Sequence, residues 1–269
     1  MILHRLRSFA EYQLHAIRDE ERLRAELTAL SEQTPPGVSE FKLPGYSYTA
    51  RALVDFSVRV TEAPGRYVNW RETVDCPITA FNNRMRSTIH LVDIEGGLYP
   101  SSRIYITEQL TPMYAYYRKR FPYTVGSEFL GDEATPGETN AQGIRHEDMT
   151  KLSFADASFD AIISLDVLEH IPDFTRAFRE AARVLSPGGR MIWSAPFIDL
   201  LPDNHIMARI VDGQIEYLTE PEYHGDPVTN QGVLCYTRFG WEVMQQVRDA
   251  GFRDAYAVTF HAPEFGYLG

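Results

Sequence analysis

The sequence predicts an α/β protein: a mostly parallel sheet with helices on both faces, preceded by an N-terminal helix and a small irregular lobe. Three observations lead there. From residue 103 onward, short β-branched runs alternate with amphipathic helical segments, the pattern of parallel strands joined by helical crossovers. "FDAIISL" (159–165) is apolar enough to be buried on both faces, as a central parallel strand must be. The first hundred residues lack this rhythm altogether.

Taken in order, residues 1–31 read as one helix rich in Glu, Arg, Leu and Ala, ended by the prolines and glycine of "QTPPGVSE" (33–40). Residues 41–100 hold aromatic and β-branched runs such as "YSYTARALVDFSVRV", broken by Pro and Gly, and predict a small β-containing lobe. "RIYITE" is the first strand of the main domain. Thr111 and Pro112 then predict a helix start, a hydroxyl cap followed by proline in the first turn. "YTVGSEFL" and "GIRHED" are the second and third strands, and "FDAIISL" the fourth. "DFTRAFREAARVL" sets Phe174, Ala177, Phe178, Ala181, Ala182 and Leu185 on one helical face. "SPGG" closes that helix, and "RMIWSAPF" is a fifth strand. A Pro-, Asp- and His-rich insertion (198–236) interrupts the alternation, after which "RFGWEVMQQVRDAGF" predicts a helix and "AYAVTFHA" a last strand. The expected division is 1–100 for helix and lobe, and 101–269 for the main domain.

Bulk properties narrow the function. The chain has 269 residues, 44% of them apolar, enough for one large core with an appendage. A net charge of −11 argues against a protein that holds nucleic acid through its general field. No apolar run is long enough to span a membrane, and the charged N-terminus lacks a signal peptide's apolar stretch. Two cysteines, Cys76 and Cys235, make no disulfide framework. A soluble, cytoplasmic protein is expected.

The stretch "HEDMTKLSFADASFDAIISLDVLEHIPDFTRAFREAARVLSPGGRMIWSAPF" (146–197) closely resembles class I S-adenosylmethionine-dependent methyltransferases of the type 11 kind. An Asp after the third strand, the "LSFADASFD" segment, a buried strand, a "VLEH" turn, a helix and "L-S-P-GG" follow one another as in that family. The resemblance implies a Rossmann-like fold, methyltransferase activity and S-adenosylmethionine as cofactor. It implies that Glu128 accepts from the ribose hydroxyls, that Asp148 accepts from the adenine amino group with Met149 on the ring, and that Asp166 meets the methionine ammonium. A carboxylate is acceptor-only, which suits a ligand that offers donors at these points. The first motif departs from the family. Where an acidic residue and G-x-G-x-G are usual, this chain has Thr107 and Glu108, then Gln109-Leu110-Thr111-Pro112. Glu108 is expected to face the ammonium, and the Gln109 amide and the helix start to face the carboxylate.

Methyl transfer needs an oriented acceptor and sometimes a base. His170 of "LDVLEH" is a candidate base beside the reactive methyl, since an imidazole titrates near neutrality. The insertion, which in this family usually forms the acceptor lid, holds His205 and "EYHGDP" with Tyr223, His224 and Asp226. His224 is the second catalytic candidate, whereas His205 reads as a loop residue. No metal is assigned in the leading reading. Some relatives bind a divalent ion through an acidic-x-x-Glu-His cluster, and Asp166, Glu169 and His170 have that spacing with a later His to complete it, so a metal-dependent O-methyltransferase is one alternative. A non-catalytic scaffold of the same fold is the other.

"GYSYTA" (45–50) and "DCPITAFNNRMR" (75–86) resemble a pair of zinc knuckles found before the catalytic domain in some bacterial relatives. The matching positions are Ser47, Ala50, Cys76 and Thr79; tetrahedral zinc wants four Cys or His ligands, so no structural zinc is expected. Asn83, Arg84 and Arg86 are candidates to hold an acceptor's carboxylate or phosphate, or to form interdomain ion pairs. The leading expectation is an enzyme that methylates a small molecule or a sugar-containing, glycan-type acceptor, with oxygen as the acceptor atom, no nucleic acid and no membrane partner.

Overall fold

The computed structural model describes residues 2–32, 34–61, 68–225 and 232–268. They fall into two compact units, 1–97 together with 257–269, and 98–256.

The first unit opens with strand β1 (Ile2–Leu6) and helix α1 (Phe9–Glu32), where a single helix from residue 1 was expected. Ser8 explains the boundary. Its hydroxyl accepts from the Glu11 N–H at 3.2 Å, and the Glu11 carboxylate accepts from the Arg7 N–H at 2.7 Å, a reciprocal cap that starts the helix there. β1 pairs antiparallel with the C-terminal strand Ala257–His261, Ile2 opposite His261. The segment expected to be the main domain's last strand thus lies in the first unit. Strands β2 (Glu40–Ser47), β3 (Ala52–Arg59) and β4 (Val74–Asp75) form an antiparallel sheet in that order. Its core is Phe56, Val58, Val74 and Cys76, with Phe41, Leu43 and Trp70 packed against it. Helix α2 (Asn83–Glu95) follows, an element the sequence reading did not foresee; Asn82 caps it by accepting from the Met85 N–H at 2.9 Å.

The knuckle-like turns hold themselves together without thiolate pairs. The Ser47 and Thr49 hydroxyls lie 3.3 Å apart, those of Thr49 and Thr79 3.4 Å apart, and the Ala50 N–H donates to Ser47 Oγ at 3.3 Å. Burial pushes the Cys76 thiol up, but hydrogen bonds from Ser47 and Thr79 and from the nearby backbone outweigh it and hold the thiol below its ordinary value. Both turns end on a non-glycine residue in the left-handed region, Arg51 at φ 54° and Ala80 at φ 57°.

The "NNRMR" side chains are structural here, which corrects the acceptor-holding reading. Arg86 is fully buried. It donates to the carbonyls of Phe265 (2.7 Å), Val74 (3.1 Å) and Gly266 (3.4 Å), and its guanidinium lies 4.0 Å from the centroid of the Phe56 ring. Burial lowers its pKa to about 10, still charged at neutral pH. Asn83 donates to the Trp70 and Leu268 carbonyls, and Arg84 pairs with Glu72 at 2.9 Å.

The second unit contains β5 (Ile104–Ile106), α3 (Pro112–Arg120), β6 (Thr124–Gly126), β7 (Phe159–Leu165), α4 (Phe174–Val184) and β8 (Leu185–Ser194). The four strands form one parallel sheet in the order β6-β5-β7-β8, so the α/β expectation holds. Crossovers run outward in opposite directions from β5 and from β7. Right-handed connections therefore put α3 and α4 on opposite faces and make the β5–β7 boundary a switch point, where such sheets bind ligands. The expected third strand is reduced to two isolated bridges, Glu128 to His146 (parallel) and Thr139 to Arg145 (antiparallel). "SPGG" lies inside β8 as an irregularity, between the Phe159–Leu185 and Ala161–Arg190 pairs. Phe174, Phe178, Trp193 and Phe239 pack edge to face with centroids 5.0–6.4 Å apart and seat α4.

The insertion is built of short strands: β9 (His205–Ile206), β10 (Ala208–Val211), β11 (Gln214–Tyr217), β12 (Tyr223–Gly225), β13 (Gly232–Leu234) and β14 (Thr237–Arg238). β10 and β11 form a hairpin over Asp212-Gly213, both with positive φ (52° and 76°), the turn that two-residue hairpins favour. β12 pairs with β13, and β9 with β14. Helix α5 (Val243–Asp249) closes the unit. No helix among the described residues is long and apolar enough to cross a membrane.

Two outcomes follow for stability. Ala80→Gly relieves a left-handed alanine and should raise stability by about 0.5–1 kcal/mol in urea unfolding. Arg86→Met leaves three carbonyls without their donor and should cost about 2–4 kcal/mol in the same assay.

Candidate functional site

Hydrogen bonds run along the carboxyl ends of the parallel strands. At β6, the buried Glu128 accepts through Oε1 from the backbone N–H groups of Gln109 (2.7 Å) and Leu110 (2.8 Å). At β5 the Thr107 hydroxyl donates to Ser164 on β7 at 3.0 Å. At the end of β7, Asp166 stands in the left-handed region at φ 53° and accepts from the Ser194 hydroxyl on β8 at 2.9 Å. Thr107, Glu108, Glu128 and Asp166 therefore share one edge of the sheet.

The glycine-free turn is held differently from expectation. The Gln109 amide is engaged by backbone: Nε2 donates to the Gly143 carbonyl at 2.8 Å, and Oε1 accepts from the Arg145 N–H at 2.9 Å. It positions the turn instead of projecting a donor from it. Thr111 does not cap α3; its Oγ1 is buried without a hydrogen-bond partner at the helix start. Close approach is supplied by a glycine on the neighbouring strand. A Cβ at Gly126 would lie 2.7 Å from the Tyr114 ring and 2.8 Å from the Glu108 carbonyl oxygen.

Asp148 accepts through Oδ1 from the Thr150 N–H and hydroxyl, both at 2.8 Å, which fixes the turn that carries the buried Met149. That turn is stapled on either side. Glu147 bonds Arg145 and Ser153, and Arg183 of α4 reaches the carbonyls of Leu152 (3.0 Å) and Phe154 (2.8 Å).

A second cluster lies after β7, in the turn Leu168–His170. The Tyr236 N–H donates to the Glu169 carbonyl at 2.7 Å, and the Leu234 carbonyl accepts from His170 Nδ1 at 2.8 Å. β13 thereby docks onto the turn, and its pairing of Val233 with His224 brings His224 alongside. The two imidazoles, the two residues expected to be catalytic, meet at 5.0 Å between ring centroids. Both face the fully buried Glu169: His170 Nε2 is 3.7 Å and His224 Nδ1 is 3.5 Å from its Oε1. Glu222 accepts from His224 Nε2 at 2.9 Å and pairs with Arg238. Burial raises the Glu222 carboxyl, but these two partners hold it below its ordinary value. The neighbouring Cys235 thiol is pushed up to about 11 by burial and by Glu222 and Glu169, which rules it out as a thiolate nucleophile at neutral pH.

Asp166 is engaged by Ser194 and stands outside the Glu169–His170–His224 group, which corrects the ligand spacing read from the sequence. His205 is exposed on β9, and Tyr223 is exposed with its hydroxyl 3.5 Å from that of Tyr217. Asp226 lies outside the described residues. Sequence reasoning passed over Glu222 and Arg238, although Glu222 and His224 are two apart in an extended segment and so share a face.

The set of acceptors suits S-adenosylmethionine. Four carboxylates, Glu108, Glu128 and Asp166 at strand ends and Asp148 in the turn that follows the Glu128–His146 bridge, would face a ligand whose ammonium, ribose and adenine present N–H and O–H groups. The Thr111 hydroxyl adds a buried polar atom without a partner at the start of α3.

Residues 125–193 match the family model described as a methyltransferase domain. This interval includes Glu128, Asp148, Met149, Asp166, Glu169 and His170 and leaves out Glu108 and His224. The 27-O-demethylrifamycin SV methyltransferase of Amycolatopsis mediterranei is 29% identical over 132 residues, covering 45% of this chain and 48% of that protein. The demethylmenaquinone methyltransferase of Mycobacterium marinum is 49% identical over 45 residues, 17% of this chain and 20% of that one. The chain thus spans less than half the length of either curated relative. Among solved structures, an S-adenosylmethionine-dependent methyltransferase from Mesorhizobium loti aligns with 65% of this chain and 83% of its own, at 20% identity and a TM-score of 0.42. Over residues 125–193, the stretch that holds Glu128, Asp148, Asp166 and the Leu168–His170 turn, the chain is similar to the methyltransferase domain family.

Proposed function

We propose that the chain is an S-adenosylmethionine-dependent methyltransferase that methylates an oxygen of a small molecule or sugar-containing intermediate. The observation that carries the reading is the meeting of His170 and His224 beside Glu169, in the turn that follows β7 and on the same sheet edge as the acidic row. The cofactor, when bound, supplies an electrophilic sulfonium methyl.

The chain's residues do the rest. Glu108 and Asp166 accept from the ammonium, Glu128 from the ribose hydroxyls and Asp148 from the adenine amino group, with Met149 against the ring. An imidazole of the His170–His224 pair takes the acceptor's hydroxyl proton. Deprotonated in this way, the acceptor oxygen would be the nucleophile toward the methyl group that a bound cofactor would supply, with the sulfur as the leaving group. The strands β12 and β13 hold His224 in place, so the insertion contributes directly to the acceptor side. The names of the curated relatives, both acting on small organic molecules, support the same substrate class.

Binding tests the cofactor half. Glu108→Gln keeps the shape and removes the charge, so it should weaken the cofactor and its demethylated product alike by about 1.5–3 kcal/mol in calorimetry. Unchanged affinities for both ligands would overturn the role given to the first motif. No binding by the wild type would favour a scaffold.

Turnover tests the acceptor half. With an acceptor found by mass spectrometry from a panel of phenols and sugars, His224→Ala should lower kcat by roughly 10²–10⁴ and leave the affinity for the demethylated product unchanged. An unaltered kcat would remove His224 from the chemistry.

A further inference from the structure

We propose that Glu169, His170 and His224 bind one divalent transition-metal ion. Each offers a ligand atom, Oε1, Nε2 and Nδ1 respectively, and the three lie within 4.8 Å of one another. The carboxylate stands 3.7 Å from His170 Nε2 and 3.5 Å from His224 Nδ1. Those separations are too long for hydrogen bonds. They are close to the spacing of two ligands across a tetrahedral ion, about 3.3 Å for bonds of about 2.0 Å.

The outer partners point the same way. The Leu234 carbonyl can only accept, so His170 Nδ1 carries a proton and Nε2 presents a lone pair to the carboxylate. His224 gives its Nε2–H to Glu222, which leaves Nδ1 to present the other lone pair. Each imidazole thus spends one nitrogen on an outer acceptor and turns the second toward Glu169, as metal-ligating histidines do. Arg238 holds Glu222 in turn. The imidazole side chains are 15% and 28% exposed and the carboxylate is wholly buried, so an ion can enter from the solvent side.

Two nitrogens and one oxygen select a borderline ion such as zinc, iron(II) or nickel(II) over magnesium or calcium. Three protein ligands leave a position open, the form of a catalytic site more than of a structural one. With both imidazoles on the ion neither is left to accept a proton, so the ion would stand in for the imidazole base by lowering the pKa of an acceptor hydroxyl placed there. That last role rests on the methyltransferase reading; the binding itself stands on these side chains alone.

The test uses the full chain, stripped with a chelator and titrated with cobalt(II) and then zinc(II), followed by calorimetry and by cobalt absorption. One ion per chain is expected. Glu169→Gln and His224→Ala should each weaken zinc at least about tenfold, and Glu222→Gln about 10–100-fold through its hold on His224. Cys76→Ser should change nothing, which separates this site from the knuckle-like turns. Thermal unfolding checks that each variant is folded, and the wild-type titration decides even where one is not. No uptake at millimolar zinc, uptake indifferent to Glu169→Gln and His224→Ala, or uptake lost with Cys76→Ser would each overturn the proposal. Zinc uptake without binding of the demethylated cofactor upholds the ion site and sinks the methyltransferase reading; cofactor binding without zinc does the reverse.

Discussion

One carboxylate oxygen, Oε1 of Glu128, accepts two successive backbone N–H groups from the turn after β5. Such bonds to an ionised acceptor are roughly twice as strong as neutral ones. A glycine-rich turn can wrap a ligand because its backbone is permissive. The turn here has no glycine, and its conformation is instead imposed from outside by Glu128 on one side and the Gln109 bridge to Gly143 and Arg145 on the other. The place of Glu108, the start of α3 and the proposed cofactor end of the site all depend on that anchor.

The sheet edge carries acidic residues at its strand ends, and hydroxyl groups of the neighbouring strands bond to residues there. Ser164 and Ser194 belong to β7 and β8; they serve Thr107 and Asp166 at the ends of β5 and β7. The stretch around Asp148 owes its shape to ion pairs at its flanks, Arg145 with Glu147 and Arg183 with Glu180. The acceptor side has another origin: a turn after β7 meets two short strands of an insertion. Variation in the insertion can thus alter the imidazole pair while the sheet edge stays as it is.

Much of this was legible in the sequence, for physical reasons that differ by element. β7 and α4 announce themselves because an apolar run and a 3.6-residue stripe report burial directly. His170 and His224 were legible as chemistry, but their meeting was not, since it depends on the docking of β13. α2 was missed because Met85, Ile89 and Val92 are diluted by polar neighbours, several of them buried; the Asn82 cap was the available signal. β1 was absorbed into the helix although Ser8 and Glu11 mark the start of α1. The Asp212-Gly213 turn was a readable hairpin signal that a loop-like composition concealed. The Gln109 bridge was out of reach, because a side chain's choice of backbone partner 34–36 residues away leaves no local pattern.

Arg86 takes two of its three carbonyl acceptors from residues 179 and 180 positions later, and β1 finds its partner strand at 257–261. The first unit is therefore discontinuous, and during synthesis its early residues emerge long before the segment that completes them. Until that segment arrives, β1 is an open edge and the Arg86 cation must remain hydrated, so the surrounding core cannot close. Contacts of such separation form slowly. The first unit therefore cannot be completed until residues 257–268 have been made, and until then its β1 edge and core stay exposed to the misassociation such surfaces invite.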